Sequence, residues 1–557
     1  MTTTIARDIA TTLAESGIRD FFMLTGGDQP LWIALRDQGI RMLVARSEAS
    51  AVYMADGFAR ARSGPAIVYG QAGPGAANVA AALADPYWAQ SPVVALTGSN
   101  ATGAMHVNEY QALDQFAMFR PVTKWNGNVA HPAQAAMLTR HAIQSAVTGT
   151  PGPTHLDVPK DLFGQPSPGR PAAIGNPWPT QPPMPAQSVD IDTALAALRK
   201  AERPLILVGD GARAAGAWDE LAAFATAAGL PVVATMGGKP AIASAHPNFI
   251  GIIGRYSSVA ANALASEADC VLALGTRLGG LATNGWRIPA ATATVIQIDR
   301  DPAAFVTPYC AAHTVTADLR LALAALGAAH DGKALGRDAA WLAHCQSIAA
   351  RWRDELIAQT RAAHDATPLS PLTVLAELVP YASETTLVAD TGYMAAWTGV
   401  LFPVHRPDAY FRATGSLGWA LPASLGVQLA RQEKVVCVTG DGGAGYHLAD
   451  IETAVRYRLP VVILVLNNDC LAFEYHEQKY RWNGDVIAQA NDFTRVDYAR
   501  VAEGLGASAR RVETRAALAE ALAAAMQASG PYVIDVAIDR EAFPPVTNFD
   551  AHMQRAL

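Results

Sequence analysis

The 557-residue chain is short of charge: Asp, Glu, Lys and Arg make up only 16% of it and leave a formal net charge of −7. Hydrophobic residues make up 51%, so the composition excludes a disordered chain and points to a well-buried one. A basic excess is missing, and with it the electrostatic footprint of a nucleic-acid binder. Cysteine is scarce: Cys270, Cys310, Cys345, Cys437 and Cys470 are odd in number and include no CxxC pair. That argues against a disulfide framework and against a zinc motif. No run approaches the ~20 apolar residues that span a bilayer. The start, MTTTIARDIATTLAESG, reads as an amphipathic helix and lacks the basic and apolar regions of a signal peptide. A cytoplasmic protein with neither nucleic acid nor membrane as partner is the expectation.

What the chain does have is alternation. Short β-rich runs such as AIVYG, VVALTG, DCVLALG and PVVILVL are separated by longer Ala- and Leu-rich stretches. That pattern predicts an α/β fold of βαβ units with parallel sheets flanked by helices. At this length three or four domains are expected. A proline-dense linker, Gly164 to Gln187, and a charged helical connector, Gly332 to Thr367, divide the chain into blocks at 1–165, 188–331 and 368–540. The outer blocks are similar in size and kind, as a duplicated fold would be.

The third block holds the stretch VTGDGGAGYHLADIETAVRYRLPVVILVLNND. A buried-strand pattern runs into Gly440-Asp441-Gly442-Gly443, a helix follows, and a second strand ends in Asn467-Asn468. The 24 residues between Gly442 and Asn467 are one crossover in length. Strands joined by one right-handed crossover lie close together, with their C-terminal ends on the ligand-binding edge. Asp441 and Asn468 would meet there as hard oxygen donors suited to Mg²⁺ with diphosphate oxygens, and the glycine amides would cradle phosphate. Gly209-Asp210-Gly211 has the same three letters with no Asn-Asn after it, and reads as a turn, at most beside a nucleotide.

Complete in both halves, this spacing resembles the signature of the thiamine diphosphate (ThDP) enzymes. The resemblance covers almost the whole chain, in the order pyrimidine-binding, central Rossmann-like and diphosphate-binding domain. It assigns Mg²⁺ to Asp441, Asn468 and the backbone carbonyl of Cys470. In VARSEASAVYMADGFAR, Ser47 and Glu48 could be no more than a helix cap. Beside the first signature, Glu48 resembles the family's activating glutamate, which bonds the pyrimidine N1′ and favours the tautomer that takes the thiazolium C2 proton. QAGPGAAN matches a family loop at Gly73, Gly75 and Asn78 but has Ala77 for Thr. TGSLGWALPASLG resembles the segment that bends the cofactor: Leu417 is the apolar wedge, and the Gly415 backbone accepts from the 4′-amino group. Gly392 also matches. The family arrangement implies a homodimer or homotetramer with active sites between subunits.

The branch most resembled comprises acetolactate synthase, benzaldehyde lyase and 2-hydroxyacyl-CoA lyase. EYQALDQFAMFRPVTKWN carries much of this and places Gln111 at an active-site glutamine. Departures bear on the substrate. MLTGGDQP, which holds the pocket candidate Gly27, is closer to the Pro-Gly-Gly of acetolactate synthases than to the His-Gly of pyruvate-type decarboxylases, no His-His pair follows, and Tyr393-Met394 stand where synthases often have Gln and His. In DCLAFEYHEQKYRW, Phe473 and Glu474 replace Met and Val of the synthases; the stretch reads either as pocket wall or as a polar helix face carrying Glu474, His476 and Glu477. The expectation is a ThDP- and Mg²⁺-dependent C–C lyase or carboligase acting on 2-oxo acids or 2-hydroxy ketones. The alternatives are an FAD- and ThDP-dependent 2-oxo acid oxidase and a 2-oxo acid decarboxylase. Arg277 and Asp299, at strand ends of the middle block, sit where relatives hold FAD or ADP.

Overall fold

The computed structural model describes residues 3–105, 107–169, 183–482 and 484–546. Every strand pairing within its three six-stranded sheets is parallel. The first sheet holds β1 (Asp20–Met23), β2 (Arg41–Val44), β3 (Ala66–Gly70), β4 (Val93–Ser99), β5 (Trp125–Asn128) and β6 (Thr154–Pro159), in the order β2-β1-β3-β4-β6-β5. The second holds β7 (Pro204–Val208), β8 (Val232–Ala234), β9 (Phe249–Ile252), β10 (Cys270–Leu274), β11 (Thr294–Asp299) and β12 (His313–Thr316), ordered β12-β11-β10-β7-β8-β9. The third holds β13 (Thr386–Ala389), β14 (Tyr410–Arg412), β15 (Val435–Gly440), β16 (Val461–Asn467), β17 (Ser508–Val512) and β18 (Tyr532–Ala537), ordered β14-β13-β15-β16-β18-β17. First and third sheets share one permutation, as a duplicated fold requires. Central strands such as β3 and β16 are buried along their whole length, which explains their unbroken apolar runs.

Most of the proline-dense linker, 170–182, lies outside the described residues. Its beginning is tied to the chain start, where Thr4 bridges Pro166. Among the described residues no helix is long and apolar enough to cross a membrane.

Seven helices matter for the site: α1 (Glu48–Arg62), α2 (Trp341–Ala362), α3 (Pro371–Leu378), α4 (Tyr393–Leu401), α5 (Ala420–Arg431), α6 (Asp441–His447) and α7 (Ala472–Arg481). Helices α1 and α5 cross at backbone contact. A Cβ on Gly57 would fall 2.2 Å from the Ala423 carbonyl oxygen, and one on Gly426 1.9 Å from that of Met54. One apolar core therefore runs from Phe22 and Leu43 of the first unit to Ile463 and Val465 of the third.

Beside this crossing a buried ion network binds the two units. The Arg60 guanidinium donates to Asp56 and to Asp85 (2.8 Å), and to the Arg412 carbonyl at 2.8 Å. Trp419 Nε1 donates to Asp56 at 2.8 Å and its ring lies 4.6 Å from the guanidinium. The Asp85 carboxylate also accepts from the backbone N–H groups of Thr414, Gly415 and Ser416, at 2.9 to 3.1 Å. Burial alone would raise the Asp85 pKa, but Arg60 and these amides hold it below the usual carboxylate range.

Candidate active site

Strands β15 and β16 are neighbours in register, Gly440 opposite Leu466, so their C-terminal ends open side by side. Asp441 starts α6 with Gly440 as N-cap. One carboxylate oxygen accepts from the Gly442 N–H and the other from the Cys470 N–H, each at 3.0 Å. Asp469, at φ 56°, turns the chain so that this contact forms. The two asparagines divide their work. Asn467 is buried and donates to the Val496 carbonyl (3.1 Å) and to Asp535 (3.0 Å), while Asn468 lines the cavity. The strand ends thus offer one carboxylate, one amide and the Cys470 carbonyl. Among the described residues no three His, Cys, Asp or Glu side chains cluster as metal ligands.

Glycines keep this edge open. Gly392, at φ 67°, caps α4. A Cβ on Gly443 would fall 2.6 Å from both Asp390 Oδ2 and Thr439 Oγ1. Asp390 accepts from the Gly418 and Thr391 N–H groups and from Thr439, which fixes the loop carrying Gly415 and Leu417. The loop is thus gripped on one side by Asp390 and on the other by Asp85.

The cavity above these strand ends has a volume of about 360 Å³. Gly392, Leu417, Asp441, Gly442, Gly443, Asn468, Cys470, Phe473 and Glu474 all line it. Met236, Tyr256 and Leu281, from the second unit, line it too. Sequence reasoning missed these three, since nothing in their local pattern marks them. The polar-face reading of α7 needs correction: the segment is helical, but Phe473 and Glu474 form pocket wall and His476 is fully buried, 3.1 Å from the Tyr393 hydroxyl. The Phe473 ring packs between Tyr256 and Tyr393, at 5.9 and 5.6 Å. Burial, with Glu477 nearby, raises the Glu474 pKa above the ordinary carboxylate value.

The other candidates gather elsewhere. Glu48 is the first residue of α1, with Ser47 accepting from the Ser50 N–H as its cap, so the cap reading holds as well. Asn78 donates to Glu48 at 3.0 Å, and a Cβ on Gly75 would come 3.1 Å from the other Glu48 oxygen. Gly73 (φ 71°) packs against the backbone of Gln111, itself at φ 62°. Gln115, unmarked in the sequence, accepts from the Gly73 N–H and holds that turn. Gln71 lies between Gly26, Gly27 and Gly75. Glu48, Gly73, Asn78, Gln111 and Gly27 therefore share one end of the first sheet. No residue before Met236 lines the diphosphate-side cavity.

Burial pushes the Asp441 pKa from 3.8 up to about 7, with Asp469 adding to the effect. The unfolded chain loses this proton near 4 and the folded chain near 7. The ligand-free protein is thus expected to lose up to a few kcal/mol of stability as pH rises through that window. A cation bound at Asp441 would remove the loss. Thermal unfolding from pH 4.5 to 8 should show Mg²⁺ with ThDP raising the melting temperature most at the upper end. Asp441→Asn should flatten both the pH dependence and the ligand effect; an unchanged ligand effect in that variant would refute the assignment.

Comparison with known proteins accords with this geometry. Family models of the thiamine pyrophosphate (that is, diphosphate) enzymes match in order: the N-terminal TPP binding domain over residues 3–118, the central domain over 191–326 and the C-terminal TPP binding domain over 390–536. Similar proteins include the probable acetolactate synthase large subunit of Methanocaldococcus jannaschii, 29% identical over 567 residues, covering 97% of this chain and 93% of that one. The acetolactate synthase isozyme 3 large subunit of Escherichia coli is 29% identical over 519 residues, 90% of this chain and 88% of its own. Sulfoacetaldehyde acetyltransferase of Castellaniella defragrans is 29% identical over 567 residues, 96% and 93% of the two chains. With all three domain types matched in sequence order and their sheets and strand-end residues in place, the chain belongs to the thiamine pyrophosphate enzymes.

Proposed function

We propose that the protein is a ThDP- and Mg²⁺-dependent C–C lyase or carboligase acting on 2-oxo acids or 2-hydroxy ketones. The observation that carries this reading is the convergence of Asp441, Asn468 and the Cys470 carbonyl at adjacent strand ends, under a largely apolar and aromatic cavity. A buried carboxylate whose pKa burial raises is one that a bound cation would favour in its charged form, as a Mg²⁺ ligand requires. Those three groups would hold Mg²⁺, and Gly442 and Gly443, in the first turn of α6, would let the phosphates approach the backbone closely. Gly392, Leu417 and the Gly415 carbonyl would seat the rings. When bound, ThDP supplies an electron sink for the carbanion left by cleavage next to a carbonyl. Glu48 would hold the proton at the pyrimidine N1′, with Asn78 fixing its carboxylate. Gln111 would orient the substrate carbonyl, and Gly27, Phe473 and Glu474 would shape the pocket. The separation of Glu48 from the diphosphate-side cavity supports a homodimer or homotetramer in which a second copy completes each site.

A second reading has one specific observation in its favour. A cavity of about 540 Å³ in the second unit is lined by Arg277 and Asp299 and shares Met236, Tyr256, Leu281, Arg412 and Thr414 with the catalytic pocket. FAD there would suit an oxidase, and ADP a coenzyme A lyase. Asp210, of the earlier Gly-Asp-Gly, lines this cavity as well.

The test is to supply the reconstituted protein with 2-oxo acids and acyloins while following CO₂, aldehydes and coupled products. Coupled product or acyloin cleavage is expected. CO₂ with free aldehyde alone would mean a decarboxylase, and a yellow protein whose flavin is reduced by substrate would mean an oxidase. Glu474→Gln is expected to lower KM for small anionic 2-oxo acids by roughly three- to tenfold, the size of one partly screened charge contact. Neutral 2-hydroxy ketones should stay within about twofold, since no charge contact changes for them. Equal effects on both classes would remove Glu474 from the pocket's selectivity.

A further inference from the structure

A third cavity, also of about 540 Å³, lies between the second and third units and shares no lining residue with the catalytic pocket. One wall is β9, the edge strand of the second sheet. The others are α2, α3 and the C-terminal end of α4 with Phe402. The volume is that of a small-molecule site. Ile250, Ile252, Leu356, Leu375, Val400 and Phe402 make its surface mainly apolar.

The charge on this lining has one sign. Lys239, Arg353, Arg361 and His405 are its ionisable residues, and no Asp or Glu is among them. Lys239 is already occupied: its ammonium donates to the carbonyls of Thr398 (3.0 Å), Gly399 (2.7 Å) and Phe402, closing the end of α4. Arg353 and Arg361 are different. They lie two turns apart on α2, both are exposed, and neither forms an ion pair among the described residues. An apolar hollow with two uncommitted guanidiniums at its mouth matches a ligand with a hydrocarbon tail and an anionic head.

We infer that this hollow is a binding site, separate from the catalytic pocket, for a medium-chain aliphatic carboxylate, its tail against Ile252, Leu356 and Leu375 and its head on Arg353 or Arg361. The site reaches the catalytic pocket through two shared helices. Pro371 at the start of α3 lines the catalytic pocket, whereas Leu372 and Leu375 line the hollow. On α4, Tyr393, Met394 and Trp397 face the one and Gly399 to Leu401 the other. The inference is independent of the proposed reaction, because neither arginine belongs to the catalytic pocket.

Trp352 lines the hollow and provides a fluorescence signal for titration of the full-length holoenzyme in its native oligomeric state. Hexanoate, octanoate and decanoate, below their micellar concentrations, should bind saturably, each added methylene tightening binding about three- to fourfold. Decanol should bind at least about tenfold more weakly than decanoate, as loss of a charge-assisted contact implies. The Arg353→Ala, Arg361→Ala double variant should lose the preference for decanoate over decanol while keeping its melting temperature and turnover. Ala376→Trp, which fills the hollow, should abolish binding of both. Equal binding of decanol and decanoate, unsaturable binding, or unaltered binding in the double variant would each overturn the inference. So would binding seen only after the oligomer dissociates, since the face would then be an interface between copies.

Discussion

Glu48→Gln is expected to reduce turnover by about two to four orders of magnitude, the usual range for removing a proton-holding group from a reacting centre. The neutral amide keeps the size of the side chain and can still meet Asn78, which donates to Glu48 at 3.0 Å. It cannot hold a proton in place at the pyrimidine. Binding of ThDP and Mg²⁺, for which Asp441 and Asn468 of the third unit are proposed, should be nearly unchanged, as should the melting temperature. Exchange of the cofactor's C2 proton with deuterated solvent should slow alongside turnover. Turnover within threefold of the parent would remove Glu48 from its assigned role. Normal proton exchange with slow turnover would move the defect to a later step.

Arg60→Leu is expected to cost about 3–5 kcal/mol of stability, because it leaves buried carboxylates without their cation. Asp56 and Asp85 both lie against Arg60, and all three side chains are buried. Burial already raises the Asp56 pKa, so without Arg60 the chain must protonate Asp56 or admit water beside it. Arg60→Lys should recover only part of the loss, since an ammonium cannot reach both carboxylates and the Arg412 carbonyl with the guanidinium's fork. Denaturant unfolding of the cofactor-free protein measures this; a change below about 0.5 kcal/mol, the size of an ordinary surface substitution, would contradict it. The network should also register at the cofactor. Asp85 holds the N–H groups of Thr414, Gly415 and Ser416, so Asp85→Asn should weaken ThDP binding more than it lowers the melting temperature.

Much of the fold was legible because the central strands obey a local rule. β3, β4, β15 and β16 are buried on both faces and so read as continuous apolar runs. Most strands that escaped notice lie at sheet edges: β5 (WNGN), β12 (HTVT) and β17 (SARRV) carry polar residues, while β9 (FIGI) and β14 (YFR) are too short to stand out. β6 is fully buried, but its run is interrupted by His155 and Asp157, satisfied by Thr97, Gln115 and Asn128. Side chains from distant segments make such a strand possible, and no local window contains them.

The same division holds for the site. Gly-Asp-Gly and Asn-Asn named the cofactor through their resemblance to the ThDP-enzyme signature, and one crossover between parallel strands brings them to one edge. Which asparagine faces the cavity was decided by packing: Asn467 turns to Asp535 and Val496, and Asn468 is left at the opening. Met236, Tyr256 and Leu281 entered the pocket only when the second unit docked on the third. Phe473 and Glu474 were suspected from sequence, but an α-helix has several faces, and only the packing of Tyr256 and Tyr393 around Phe473 showed which one meets the cavity. The sequence by itself pointed to the cofactor, since short motifs at fixed spacing carry the resemblance to the ThDP enzymes. The tertiary structure decided the walls of the pocket and which candidates line it, since those depend on contacts between residues hundreds of positions apart.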